Sequence, residues 1–328
     1  MFHPPTIDDV HQAAARLSGK IVETPLIESQ LLNEKLGARL LFKPECLQRT
    51  GSFKFRGAYN KISSLTPEER KRGVVAFSSG NHAQGVAASA QVFGIPAIII
   101  MPSDAPQIKI ENTKAYGAEV VLYDRFGEDR ATIAQEYIDE RGMVPVPPYD
   151  DPKIIAGQGT IGLELVDQAT ALGAKLDIVI TPAGGGGLIS GISLAAKTLS
   201  PDTAIWGAEP EHFDDLRRSL DAGEPLSNEP GYNSICDAIL TPKPGELTFP
   251  INRRNLAGAI AVPDRTTAQA MRDAATCLKL VVEPGGCVAF GAVHTGELDI
   301  KDKTIAIVLS GGNVDIASYA KLIGQNEH

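Results

Sequence analysis

The first stretch of this sequence that could do chemistry is Thr50-Gly51-Ser52-Phe53-Lys54-Phe55-Arg56-Gly57, a lysine directly after an aromatic residue and bounded by glycines. Burial disfavours the charged form of a lysine and frees its amine to attack a carbonyl and form an imine. Taken alone, the stretch favours a plainer reading, a solvated lysine beside a core phenylalanine. Three turns change that balance: Ser78-Ser79-Gly80-Asn81-His82, Gly184-Gly185-Gly186-Gly187 followed by Leu188, and Ser310-Gly311-Gly312-Asn313. Each follows an apolar strand pattern and precedes a helical one. Each is therefore expected to present unpaired backbone N–H groups at a helix N-terminus, where the dipole favours an anion.

The run Gly184, Gly185, Gly186, Gly187 suits a monophosphate, because backbone without side chains can wrap a tetrahedral anion closely. It lacks both the lysine of a nucleotide P-loop and the spacing of a dinucleotide fingerprint. Ser78, Ser79, Gly80, Asn81 and His82 offer hydroxyls, an amide and N–H groups suited to a carboxylate, although Ser and Asn are also ordinary helix caps. An imine-forming lysine, a monophosphate anchor and a carboxylate anchor together ask for pyridoxal 5'-phosphate and an amino-acid substrate.

The elements that must position these residues follow from the apolar periodicity. A helix is expected over 6–18, a strand over 40–45 and a helix over 56–64. Then come strands at 74–77, 96–101, 119–123 and 143–146, alternating with helices at 83–93, 108–116 and 128–141. Short connections between them imply right-handed crossovers and a parallel sheet covered on both faces. Val146-Pro147-Pro148-Tyr149-Asp150-Asp151-Pro152 looks like a crossing between domains. Beyond it, helices are expected at 154–172, from the glycines to 196, at 266–278, 286–295 and 315–323, with strands at 177–182, 204–209, 258–262 and 304–309. Gly157 and Gly159 are expected to loosen the start of the helix at 154, and 222–256 to be mostly loop. This is an α/β chain of two domains, 1–72 with 151–328, and 73–150, with the ligand in the cleft between them at the carboxyl ends of parallel strands.

Composition bounds the alternatives. The 328 residues carry a net charge of −9, which argues against electrostatic binding of nucleic acid or an anionic membrane. Apolar runs such as Ala97-Ile98-Ile99-Ile100-Met101 are strand-length. Met1-Phe2-His3-Pro4-Pro5 has no signal-peptide pattern. Cys46, Cys236, Cys277 and Cys287 form no CxxC pair and read as core residues of a reducing cytoplasm.

At this point the sequence resembles the fold-type II pyridoxal-phosphate enzymes, specifically the serine/threonine dehydratase and serine racemase group, with a tryptophan synthase β-like fold. The matching motifs, in order, are Ser52 to Gly57, Ser78 to His82, Ala156-Gly157-Gln158-Gly159-Thr160, Gly184 to Gly187, and Ser310 to Asn313. The resemblance implies that Lys54 holds the cofactor as an imine and takes the α-proton, and that Phe53 packs on the ring. It implies that Asn81 bonds the ring hydroxyl oxygen, that the glycines and Leu188 bind phosphate, and that Ser310 pairs with the pyridine nitrogen. Glu283 lies near the ring in the same scheme. Ser79 matches the racemases' acid/base opposite lysine. Glu209 and Asp215, with the carbonyl of Phe213, match a magnesium or calcium site whose oxygen ligands suit such ions.

The expected reaction is dehydration and deamination of L-threonine or L-serine, with 3-hydroxyaspartate dehydratase and serine racemase as alternatives in the class. A non-catalytic sensor on the same fold is the alternative outside it. Pro147-Pro148-Tyr149 and Ser234-Ile235-Cys236-Asp237 depart from the racemase-like pattern, which leaves the substrate side chain open. A homodimer is expected by resemblance, and a chain that ends soon after its last expected helix is expected to lack the regulatory domain of the biosynthetic threonine deaminases.

Overall fold

A computed structural model describes residues 3–105 and 107–324; Met1 and Phe2 of the opening segment lie outside it. Ten strands form two sheets. β1 (Ile27–Glu28), β2 (Arg39–Pro44), β7 (Ile178–Pro182), β8 (Ala204–Pro210), β9 (Gly258–Val262) and β10 (Thr304–Leu309) form one, in the order β1-β2-β10-β7-β8-β9. β3 (Val74–Phe77), β4 (Ala97–Pro102), β5 (Glu119–Tyr123) and β6 (Val144–Pro145) form the other, in the order β5-β4-β3-β6. All pairings are parallel except β1 with β2.

The strand orders place the site. In the larger sheet the chain runs outward from β7 to β9 and returns on the other side of β7 as β10. In the smaller it runs outward from β3 to β5 and returns beside β3 as β6. Where successive connections diverge, the carboxyl ends of the strands leave a crevice for a ligand. The glycine run follows β7, Ser310 follows β10, Ser78 follows β3 and Pro147-Pro148-Tyr149 follows β6 closely. The four segments therefore meet at the two divergence points.

The strand pattern shows why both faces are covered. Leu40, Phe42, Ile305, Ile307 and Leu309 pack on one side of the larger sheet, whereas Leu41, Ala306 and Val308 pack on the other. Helix Lys54–Ser63 follows β2 yet lays Ala58 and Ile62 against Val74, Ala76 and Ile99 of the smaller sheet. Its first residue, Lys54, thus stands at the seam between the sheets.

Gly157 and Gly159 turn out to be contact points, not loosening points. A Cβ at Gly157 would lie 2.7 Å from Gly57 Cα. One at Gly191 would lie 2.5 Å from Gly159 N and collide with Ile155 O. Helix Pro152–Ala171 therefore meets helices Lys54–Ser63 and Gly187–Leu199 backbone to backbone. Two further expectations change. The segment 222–256 contains a helix, Thr248–Asn255, with Pro250 in its first turn, where a missing N–H is no loss. The turn at Ser310 does not open a helix: Gly311 bridges to Ser52, and the next helix starts at Ile316.

Because the Gly191 crossing has no room for a methyl group, Gly191→Ala is expected to destabilise the fold by about 1–3 kcal/mol in denaturant unfolding. An unchanged midpoint would contradict the packing account.

Candidate active site

The crevice is a cleft of about 530 Å³. Lys54 enters it from the start of its helix, with Nζ donating to Pro148 O at 2.7 Å and lying 5.1 Å from the centroid of the Phe53 ring. Burial pushes the amine down to about 8, against the opposing pull of the Glu283 charge. The helix is anchored beneath the cleft by Arg56, whose buried guanidinium binds Glu45 at 2.8 Å and Glu164 Oε2 at 2.9 Å. Burial works against the charge on Glu45, but Arg56 outweighs it and holds that carboxyl below its ordinary range.

Opposite lies the glycine run. Among the described residues, the backbone N–H groups of Gly184, Gly185, Gly186, Gly187 and Leu188 have no hydrogen-bond acceptor. Gly186 adopts φ 90°, a left-handed conformation that favours glycine, and Gly187 begins a thirteen-residue helix. Side chains are excluded by what surrounds the run. A Cβ at Gly186 would lie 2.7 Å from Asn252 Nδ2 and 2.8 Å from Thr248 Oγ1, and one at Gly185 would enter the Tyr149 ring. Amides at a helix N-terminus with no internal acceptor form a place for a phosphate.

The remaining residues complete the walls. Gly80 caps helix Asn81–Phe93, and Ser78 Oγ accepts from Gly80 N at 3.2 Å. Ser78 and Ser79 line the cleft. Buried His82 spends Nε2 on Val146 O at 2.8 Å. A carbonyl only accepts, so that nitrogen carries the proton. Burial, then the Lys54 charge, push the imidazole down to about 3, so it is neutral. Asn81 donates to Glu283 Oε1 at 2.6 Å and accepts from Asn313 Nδ2 at 2.8 Å. Burial pushes Glu283 up to about 7, although the Asn81 hydrogen bond opposes the shift. Ser310 lines the cleft with a hydroxyl that bonds none of the described residues, while its N–H and C=O pair with Gly286 and Phe53. Phe53, Lys54, Ser78 to His82, Gly184 to Leu188, Glu283 and Ser310 thus share one cleft.

Glu209, Phe213 and Asp215 lie apart from it. Buried Glu209 accepts from Leu216 N at 3.1 Å and Arg217 N at 3.0 Å, at the start of helix Asp215–Ala222. Asp215 accepts from Asn228 at 2.6 Å, and its Oδ2 is buried without a partner. Burial raises both carboxyls, and the Asp215 charge adds to the rise at Glu209. No cluster of three or more His, Cys, Asp and Glu side chains suited to a metal occurs among the described residues.

Several residues of the site carry no signal in their local sequence. Asp150 accepts from Glu246 N, Leu247 N and Thr248 N at 3.0, 2.9 and 3.3 Å and so caps a helix about a hundred residues away. Tyr149 covers the glycine run. Asn313 ties Asn81 to Thr50 O. Lys109 pairs with Asp237 at 3.1 Å on the cleft wall, and Arg130 lines the wall beside Phe77. Of these, Tyr149 and Asp237 lie in the two segments that depart from the racemase-like pattern.

Comparison with known proteins gives the same answer. The chain is 43% identical over 324 residues to an L-threo-3-hydroxyaspartate ammonia-lyase of Saccharomyces cerevisiae, covering 98% of each. It is 41% identical to a serine racemase of Schizosaccharomyces pombe, again covering 98% of each. The crystal structure of a threonine deaminase from T.th. superposes with a TM-score of 0.90 at 44% identity, covering 95% of this chain and 99% of that one. Residues 17–311 match the family described as pyridoxal-phosphate dependent enzyme. An amine-bearing, amide-lined cleft at the carboxyl ends of parallel strands suits such a cofactor, and the chain belongs to the pyridoxal-phosphate dependent enzymes.

Proposed function

We propose that this chain catalyses β-elimination from a β-hydroxy α-amino acid, L-threonine and L-serine being the simplest of the class, to give a 2-oxo acid and ammonia. The observation that carries this reading is the meeting, in one cleft, of a desolvated Lys54 amine and the unpaired amides of the glycine run. The donor set fits pyridoxal 5'-phosphate: Lys54 for its aldehyde, Gly184 to Leu188 for its phosphate, the Ser310 hydroxyl for its ring nitrogen, with Phe53 and Asn81 beside the ring. The bound cofactor supplies an electron sink at the substrate's α-carbon.

The chain's own residues do the rest. The turn from Ser78 to His82 grips the α-carboxylate by N–H groups, hydroxyls and the Asn81 amide. Lys54, freed once the substrate's amine takes its place, removes the α-proton from one face. The bond from the β-carbon to the hydroxyl breaks, and the hydroxyl leaves with a proton as water. The released enamine tautomerises to an imine, and one water hydrolyses it to the 2-oxo acid and ammonia. Water is released once and consumed once, so the net change is amino acid to 2-oxo acid and ammonia. The neutral Ser310 hydroxyl favours elimination, because it does not protonate the ring nitrogen. Ser79 offers a proton on the opposite face, which supports racemisation as a second outcome at the same site. The two-domain division, with Lys54–Ser63 at the seam, belongs to this reading, as do a cytoplasmic location and a homodimer.

Glu209, Asp215 and the Phe213 carbonyl belong to the same reading as a magnesium or calcium site. The buried, unpartnered Asp215 Oδ2 beside a second buried carboxyl supports it.

Purified protein loaded with cofactor is expected to release 2-oxo acid from L-serine or L-threonine. Ser79→Ala is expected to lower the ratio of D-serine to 2-oxo acid by about 10²-fold. Formation of D-serine without 2-oxo acid would contradict the elimination reading. Magnesium or calcium at millimolar concentration is expected to raise the melting temperature of the wild type and not of Asp215→Ala. Equal shifts in both would remove the cation from the account.

A further inference from the structure

Glycines let the run after β7 wrap an anion, and they also let it turn the wrong way. A peptide flanked by two glycines can rotate at little steric cost, and rotation would put a carbonyl oxygen where an N–H should face the anion. From Gly186 onward the helix sets the orientation, since Gly186 O accepts from Ser190 N at 2.9 Å. The peptide between Gly185 and Gly186 lies ahead of the helix and has no such bond.

That peptide is held from outside the run. Thr248 Oγ1 lies 2.7 Å from Gly185 O and 3.3 Å from Gly245 O. A hydroxyl has one proton to donate, and the shorter contact takes it. Gly245 N donates to the same Gly185 O at 3.3 Å. In a trans peptide the N–H points opposite to the C=O, and no described peptide is cis. The Gly186 N–H is therefore turned away from Thr248, and it has no acceptor among the described residues. Buried Thr248 is pressed against Gly186, where a Cβ would lie 2.8 Å from its Oγ1. Asp150 fixes its place by accepting Thr248 N at 3.3 Å along with the two preceding amides. With those amides on Asp150, the Thr248 hydroxyl is not needed to cap its own helix, Thr248–Asn255.

We infer that Thr248 is a positioning residue for the cofactor's phosphate: its hydroxyl holds Gly185 O back and so aims the Gly186 N–H at the anion. This role rests on the reading of the glycine run as the phosphate anchor. It adds to that run a side chain 63 residues further along the chain, which touches no phosphate and acts through one peptide plane.

The test uses cofactor-free wild type, Thr248→Val, Thr248→Ala and Thr248→Ser. Each is titrated, with absorbance as the readout, with pyridoxal 5'-phosphate and with pyridoxal, which has the same aldehyde and no phosphate. The wild type is expected to prefer the phosphorylated aldehyde. Misaiming one amide that bonds a charged phosphate is expected to lower that preference on the order of tenfold in Thr248→Val and Thr248→Ala, with pyridoxal affinity within about threefold of wild type. Thr248→Ser keeps the hydroxyl and is expected to keep the preference. A merely structural role would weaken both aldehydes together. A preference unchanged in Thr248→Val and Thr248→Ala, or the failure of both variants to take up either aldehyde, would therefore overturn the assignment. So would a loss of preference in Thr248→Ser equal to that in Thr248→Val. If the wild type itself binds the two aldehydes equally, the phosphate-anchor reading fails first, and the role of Thr248 falls with it.

Discussion

The site depends on the five-residue connection from Pro147 to Asp151, a bent segment where the chain leaves one sheet for the other. Pro148 O takes the Lys54 amine, Tyr149 fills the space over the glycine run, and Asp150 caps helix Thr248–Asn255. Asp151 caps helix Pro152–Ala171 and pairs with Lys61 on the Lys54 helix at 2.6 Å. A single helix cap is worth about 1 kcal/mol. Here the caps also set position, because each ties an element that carries a reacting group to the same short segment. The amine, the amides for an anion and the helix behind them are thereby held in one frame.

That frame explains the electrostatics. Lys54 sits where two sheets close on each other, so desolvation dominates its titration and the nearby Glu283 charge only partly offsets it. The same burial keeps His82 neutral and favours the protonated form of Glu283 more than open solvent would. Beneath the cleft, buried Arg56 binds both Glu45 and Glu164, and its charge holds the Glu45 carboxyl below its ordinary range. Removing one partner of such a group is costly, since the remaining charge is left buried. Inside the cleft, burial thus weakens the charges of Lys54 and Glu283.

Much of this was legible in the sequence wherever the signal is local. Strand runs such as Ile98 to Met101 and Ile305 to Leu309, the glycine run and the lysine stretch lie where their own residue types place them. What was not legible depends on contacts between distant segments. Helix Thr248–Asn255 has Leu247 at its N-cap position, and its real cap, Asp150, lies about a hundred residues earlier. Gly157 and Gly159 look like helix breakers until Gly57 and Gly191 are brought against them. Ser310-Gly311-Gly312 resembles a helix entry, but its Gly312 N–H is spent on Gly51 O. Arg130 and Lys109 are ordinary surface-type residues in sequence. Only the folded chain shows that Lys109 pairs with Asp237 and that Arg130 lies over the Phe77 ring.

The central claim is that Lys54 carries a desolvated amine, the group that would hold the cofactor's aldehyde. The most direct measurement is the rate of cofactor loading onto cofactor-free protein as a function of pH, followed by absorbance, with Lys54→Ala as the control. Only the neutral amine attacks, and burial lowers its pKa from 10.5 to about 8. The neutral fraction is therefore roughly a tenth at pH 7 and nearly complete by pH 9. The account predicts a loading rate that rises through pH 8, levels off above it, and disappears in the control. A rate that keeps rising towards pH 10.5, or one that survives the loss of Lys54, would contradict it.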